Sequence, residues 1–350
     1  MVMTRELPEM FFVISGEHPT LPKAELTAIL DTRKIRYEVT DSDYKLLEVR
    51  ASNVSPHEVA KKAGFTEEAG LKIFKSSPTY ESIASELDSS PLSEYLAPKE
   101  HFSVRVARFG GASRSISRTH LEPFLGDLVA KKTSGKVDLH SPVRQFRGMI
   151  TGNAFHFGLL TYQRPRASIA NRRPRKRPAF HPSTMVPKLA RCMVNLSGAL
   201  EGSTFLDPFC GVGGIALEAC LIGCEVIGVD AKGRMVRGTR RNLAHFKLGF
   251  LGLVRADARK IPLTRVDAIA TDPPYGTQSS TFKSSTRKIL EDFLPRAREL
   301  LPTGNRAAIA SPLGTRSSQI AEDSGFRVLD RHLVYVHRSL TREILALGAS

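Results

Sequence analysis

"STFLDPFCGVGGIALEACLIG", residues 203–223, changes character twice. A short apolar run ends at Asp207. Glycines then stand at 211, 213 and 214, and an apolar stretch of helical length begins at Ile215. A strand, a tight turn and a helix are the expected order, with glycines letting the backbone turn and approach a ligand closely. The rhythm repeats outward. "EVIGVD" (225–230) leads into the helix-spaced "GRMVRGTRRNLAHFKLG" (233–249), and "LVRAD" (253–257) is a further short strand. "VDAIATD" (266–272) precedes "TRKILEDFLPRARELL" (286–301), where Pro295 predicts a kink. "RAAIASP" (306–312) reads as a strand and "SQIAEDSG" as a helix. "FRVLDRHLVYVH" and "REILALG" read as a closing hairpin. Alternating strands and helices predict a parallel sheet covered on both faces, with an antiparallel addition at its end.

Four acids stand at predicted strand ends: Asp207, Asp230, Asp257 and Asp272. In open α/β sheets that carboxyl edge is where ligands bind. A carboxylate at Asp230 can accept both hydroxyls of a ribose, and one at Asp257 can accept the amino group of an adenine. Asp272 opens "DPPYG" (272–276). An exocyclic amine on a nucleobase is a poor nucleophile, because its lone pair is delocalised into the ring. Asp272 and the carbonyl of Pro273 can accept its two N–H groups and hold the lone pair toward an electrophile. Pro273 and Pro274 fix the backbone and bring no competing donor. Tyr275 can stack on an extracted base.

The N-terminal half has a different organisation. "MFFVISG" (10–16) reads as a strand, "LPKAELTAILDT" (21–32) as a helix, and "YEVTDSDYKLLEVR" (37–50) as two strands. "SPHEVAKKAG" (55–64) reads as a helix capped by Ser55. "GLKIFKSS", "HFSVRVARF" and "AFHFGLLTYQR" read as strands, and "YESIASELD" and "HLEPFLGDLVAKKTSG" as helices. A mixed α+β region of two small units meeting near residue 55 is expected.

Charge is unevenly spread. The net charge is +16, yet acids outnumber bases over residues 1–100. Residues 164–177, "RPRASIANRRPRKR", hold Arg164, Arg166, Arg172, Arg173, Arg175, Lys176 and Arg177 and no acid. With its prolines this segment predicts a semi-rigid linker lying along a phosphate backbone. Cys192, Cys210, Cys220 and Cys224 show no C-x-x-C pairing, so neither a metal site nor a disulfide framework is expected. No apolar run reaches the roughly 18 residues of a membrane helix. The N-terminus lacks a signal-peptide core, so a cytoplasmic protein is expected. No long heptad pattern suggests obligate association, which leaves a monomer expected and an activating partner subunit open.

"DPFCGVGG", "GVDAK", "RADAR" and "TDPPYG" resemble motifs I to IV of S-adenosylmethionine-dependent amino-methyltransferases. "FHPSTMVPKLARCMVNLS" (180–197) resembles the segment that precedes the sheet in that family. Together with "FVISGEHPTLPKAELTAIL" (12–30), these resemble the archaeal tRNA guanine-10 N2-methyltransferases. The resemblance implies a ferredoxin-like unit (1–54), a THUMP RNA-binding domain (55–163), a basic linker (164–180) and a Rossmann-like domain with a seven-stranded sheet (181–350). It implies S-adenosylmethionine as cofactor and tRNA as partner. Asp207, Gly211 and Gly213 would surround the methionine part, Asp230 the ribose, and Asp257 and Ala258 the adenine. His181, Ser183, Thr184 and Met185 would line the cofactor from the other side, although His181 also reads as a helix cap. "AKGRM" after Asp230 and "GTQSST" after Tyr275 depart from the family pattern and name no base.

Three other readings stay open on the residues. An amino-methyltransferase of rRNA or DNA would use the same clamp on guanine, adenine or cytosine, but has no need of the N-terminal module. A non-catalytic RNA-binding protein would not need an intact clamp. "GVGGIA" also satisfies a dinucleotide pattern, a reading that leaves the clamp and the charge unexplained.

Overall fold

The computed structural model describes residues 7–110, 116–275 and 285–350. The stretch "GTQSST" (276–281) lies outside them. The chain divides into two compact units. The first comprises residues 1–19, 34–61 and 66–164, and the second residues 20–33, 62–65 and 165–350.

Eight strands form one sheet in the first unit. They are β1 (Glu9–Ile14), β2 (Tyr37–Ser42), β3 (Leu46–Ala51), β4 (Thr66–Ser76), β5 (His101–Arg108), β6 (Lys136–Val137), β7 (Arg144–Thr151) and β8 (Ala154–Gln163). Their order is β2-β3-β1-β4-β8-β7-β5-β6. Residue 55 is therefore not a break in the sheet: β4 pairs β1 on one side and β8 on the other. Phe146 and Phe157 stack at 5.5 Å within its core. Gly70 and Gly158 are needed where Phe11 crosses β4 and β8: an added Cβ would stand 2.5 Å and 2.7 Å from the Phe11 ring. A closed charge network threads the same sheet. Glu48 receives Lys72 at 2.6 Å and His156 at 2.7 Å, and Lys75 pairs with Asp41. Asp41, Glu48 and His156 thus already have partners for their polar atoms.

Helix α1 (Leu21–Thr32) belongs to the second unit, although it follows β1 directly. Its apolar positions Leu21 and Ala28 lie in one core with Met193 and Val194. Those two residues sit on α6 (Pro187–Leu196), reached after α2 (Pro56–Lys62), α3 (Tyr80–Ser89), α4 (Arg118–Thr133) and α5 (Arg166–Ala170). Buried Glu25 fastens this arrangement. It accepts from the Gly64 and Phe65 amides at 2.6 Å and 2.8 Å, and from Asn195 Nδ2 at 2.7 Å.

The second unit continues as β9 (Thr204–Asp207), α7 (Gly214–Leu221), β10 (Glu225–Asp230), α8 (Gly233–His245), β11 (Gly252–Arg255) and β12 (Ala268–Thr271). After these come α9 (Thr286–Leu300), β13 (Arg306–Pro312), α10 (Ser317–Asp323), β14 (Phe326–His337) and β15 (Leu340–Ala349). The seven strands run β11-β10-β9-β12-β13-β15-β14. The first five are mutually parallel, and β15 inserts antiparallel between β13 and β14. The strand order reverses between β9 and β12, so the glycine turn and the Asp-Pro-Pro-Tyr loop flank the switch point where such sheets bind ligands. Helix α9 runs through Pro295.

Residues 164–180 form α5 and a short 3-10 turn at Pro174–Lys176. The Arg172 guanidinium donates to Glu218 of α7 at 2.8 Å and 3.1 Å. Arg191 of α6 reaches the same carboxylate at 2.9 Å. Glu218 has no exposure, and Arg172 and Arg191 pair its buried carboxylate.

Candidate active site

The glycine turn after β9 needs glycine at two places. Gly211 and Gly213 have φ of +54° and +82°, the left-handed region. At Gly213 an added Cβ would also stand 2.8 Å from Thr239, while at Gly211 it would meet nothing within 4 Å. The loop is therefore packed from behind and open in front, a cradle that a side chain would obstruct. Its back is held by α8: Thr239 Oγ1 donates to the Gly211 carbonyl at 2.9 Å, and Asn242 Nδ2 to that of Val212 at 2.7 Å. The sequence does not single out these two residues. Their only signal there is a pair of polar side chains on the buried face of an arginine-rich helix.

Asp230 ends β10 and accepts from the Gly211 amide at 3.1 Å and the Lys232 amide at 2.8 Å. Burial raises its pKa, against those two amides. Asp207 is more extreme. It is 1% exposed, and burial pushes its pKa to about 7 despite hydrogen bonds from Thr271 Oγ1 and the Phe209 amide. The neighbouring carboxylates Asp230 and Asp272 push in the same direction.

The other predicted cofactor residues are placed as follows. His181 Nδ1 lies 2.8 Å from Ser183 Oγ, and the Thr184 amide donates to the His181 carbonyl at 3.0 Å, a local cap. Burial and then Arg234 and Lys232 depress the His181 pKa, with Asp230 opposing them, so the ring shares the neighbourhood of the β10 end. Thr184 packs against Gly214, 3.1 Å from where a Cβ would be. Met185 is buried in the core. Asp257 holds Arg259 through Nε and Nη2 at 2.9 Å and 2.6 Å and caps the following turn, and Ala258 is buried. The Arg259 pair holds the Asp257 carboxyl below its usual range.

At the end of β12, Asp272 is held from two directions. Arg342 Nη2 lies 3.1 Å from its Oδ2, and the Tyr275 hydroxyl donates to its Oδ1. Arg342 Nε also donates to the Tyr275 hydroxyl at 3.2 Å, and its guanidinium sits 5.6 Å from the ring centre. Burial raises the Asp272 pKa, and Arg342 and then Tyr275 counter it. The Pro274 carbonyl accepts from Thr286 Oγ1 at 3.0 Å. Sequence reasoning misses Arg342, which there only opens an apolar hairpin strand.

The basic segment needs correction. Arg166, Arg173, Arg175 and Lys176 are exposed. Arg172 is committed to Glu218. Arg177 is 5% exposed and donates to the Arg172 carbonyl at 2.8 Å. Arg164 donates twice to the Thr66 carbonyl. These three arginines hold the fold and are not surface cations.

Residues 174–344 match the model of the RMKL-like, methyltransferase domain. A tRNA (guanine(10)-N2)-dimethyltransferase of Methanothermobacter thermautotrophicus is 37% identical, over 96% of this chain and 98% of that protein. The chain belongs to the tRNA (guanine(10)-N2)-dimethyltransferase family. A second relative bearing that name, from Methanocaldococcus jannaschii, is 32% identical over 95% and 97% of the two chains. The fold is shared with the crystal structure of TrmN from Thermus thermophilus, at a TM-score of 0.54 and 23% identity over 98% of this chain and all of that one. As a family member the chain uses S-adenosylmethionine, and the open glycine cradle beside a strand-end carboxylate fits that cofactor.

Proposed function

We propose that this protein methylates the exocyclic N2 amine of guanosine 10 in tRNA, adding two methyl groups. The observation that carries the reading is the Asp272–Tyr275 loop beside the glycine cradle, in a chain matched nearly end to end by relatives named for that reaction. S-adenosylmethionine supplies an electrophilic methyl group on a sulfonium. Gly211, Gly213 and Asp207 would hold its methionine part, Asp230 its ribose, and Asp257 with Ala258 its adenine. His181, Ser183 and Thr184 would close the site from the segment before α6, with Met185 as a core support. Asp272 and the Pro273 carbonyl accept the amine N–H groups and orient the lone pair, and Tyr275 stacks on the base. Since Asp272 needs only one N–H, a monomethylated amine still fits it.

The first unit is read as the tRNA grip, with most of the family's THUMP domain (55–163) within it. Arg166, Arg173, Arg175 and Lys176 are exposed cations of the second unit that would bind phosphates. Four free cysteines suit a reducing cytoplasm. The test is incubation with labelled S-adenosylmethionine and tRNA transcripts carrying guanosine or adenosine at position 10, with nucleosides read by mass spectrometry. Dimethylguanosine only in the first is expected. Equal labelling of both transcripts, or preferred labelling of rRNA or duplex DNA, would sink the reading.

A further inference from the structure

Arg342 is placed unlike any other cation near the carboxyl edge of the second sheet, among the described residues. It is 8% exposed. Its backbone is fixed on both sides, opposite Pro312 of β13 and Val334 of β14. Successive residues of a strand face opposite sides. Glu343 accordingly leaves the site to receive Arg331 and Ser317, while Arg342 reaches Asp272 and Tyr275. One guanidinium thus touches both side chains of the clamp. Five donors in a rigid planar fork suit it to that double contact, which a lysine cannot reproduce.

We infer that Arg342 is the positioning residue of the methyl-transfer site: it orients Asp272 through Oδ2 and parks the Tyr275 hydroxyl on Oδ1 until a base arrives. The inference rests on the reading of Asp272 as amine acceptor. With Oδ2 held by Arg342, Oδ1 is the oxygen left for the amine, and it is the oxygen to which the tyrosine hydroxyl donates. Entry of the base displaces the hydroxyl, and Arg342 Nε retains it while the ring turns onto the base. An ionised Asp272 accepts the amine N–H; a protonated one presents a competing donor.

The charged and titratable groups facing Asp272 among the described residues are Arg342 from β15, Tyr275 from its own loop and Asp207 from β9. Burial favours the protonated form, and Arg342 is the only cation among the three. Removing it moves the Asp272 pKa up, so turnover must fail at a higher pH than in the wild type.

The experiment measures kcat, the KM for tRNA, S-adenosylmethionine affinity and the pH profile of kcat for Arg342→Gln and Arg342→Lys, beside Asp272→Ala. For the glutamine variant, kcat should fall about 10²-fold, with cofactor affinity and KM within about threefold and the acid limb raised by at least about one pH unit. The lysine variant keeps the charge and loses the fork. It should hold the acid limb near its wild-type position while kcat falls about tenfold. Full turnover in Asp272→Ala would overturn the acceptor reading itself. An inactive Asp272→Ala beside a glutamine variant with an unmoved acid limb would overturn the role of Arg342 alone. If the glutamine variant does not bind cofactor or melt cooperatively, the lysine variant decides, and wild-type kcat in it overturns the inference.

Discussion

At the scale of single residues, the acids along the carboxyl edge are expected to separate by what they touch. Asp272→Ala should keep cofactor binding and lose about 10²–10³ in turnover, the usual cost of one preorganised acceptor. Calorimetry and single-turnover rates measured together check this, and near-normal turnover refutes it. Asp207 makes a pH prediction. Its pKa is about 7 in the folded protein and roughly 3.9 when unfolded. The unfolded chain therefore releases this proton first, and the stability it contributes at low pH is lost as pH rises through about 7. Asp207→Asn can still accept from Thr271 and has no proton to lose. Its melting temperature should exceed the wild type's at pH 8, with the gap closing toward pH 4. A constant gap across that range would mean that Asp207 is ionised throughout.

Among elements, the decisive one is the basic segment before α6. As a free tether it would tolerate any polar substitution. Bound to α7, it should not. Glu218→Ala would leave Arg172 and Arg191 facing each other without their shared carboxylate. Breaking such a buried pair costs about 3–5 kcal/mol, so the urea midpoint should drop clearly with the m-value retained. An unchanged midpoint would show that the arginines find other partners. The exposed cations of the same segment behave oppositely. Changing Arg166, Arg173, Arg175 and Lys176 to Gln should leave the midpoint alone and raise the KM for tRNA. It should also flatten the dependence of binding on salt by roughly 0.7–0.9 for each phosphate that is no longer neutralised. An unaltered salt slope would place the RNA elsewhere.

For the whole molecule, the two units are not consecutive in the chain. Helix α1 and residues 62–65 are embedded in the core of the second unit, with Phe65, Leu21 and Ala28 among its buried side chains. A fragment of residues 178–350 would expose that core face of α6, leave Asn195 without its Glu25 partner, and strip Arg172 from Glu218. It is expected to aggregate or to melt without a cooperative transition, whereas the full chain melts cooperatively. Light scattering and calorimetry of the fragment decide this, and a monomeric fragment that unfolds sharply would show that α1 is dispensable.

What the sequence determined by itself was local. Alternating strands and helices, glycines at a strand-to-helix turn and acids at strand ends are written in short continuous segments, because backbone geometry and side-chain period act between near neighbours in the chain. The parallel sheet, its closing hairpin, the glycine turn and the place of the Asp272–Tyr275 loop at a strand end were legible for that reason. β7 went unread because Gln145, Arg147 and Gly148 dilute the alternation of Phe146 and Ile150, and its place is set by pairing with β5 and β8. The engagement of Arg172 and the burial of Arg177 could not be read from a run of like charges, since the compensating Glu218 lies 46 residues beyond Arg172. The same holds for α1, whose amphipathic face does not say which core receives it. Arg342 is the sharpest case. Its contact with Asp272 spans 70 residues and exists only because β15 pairs antiparallel between β13 and β14. Long-range pairing of charges and of strands is a property of the folded chain, and only the tertiary structure decided it.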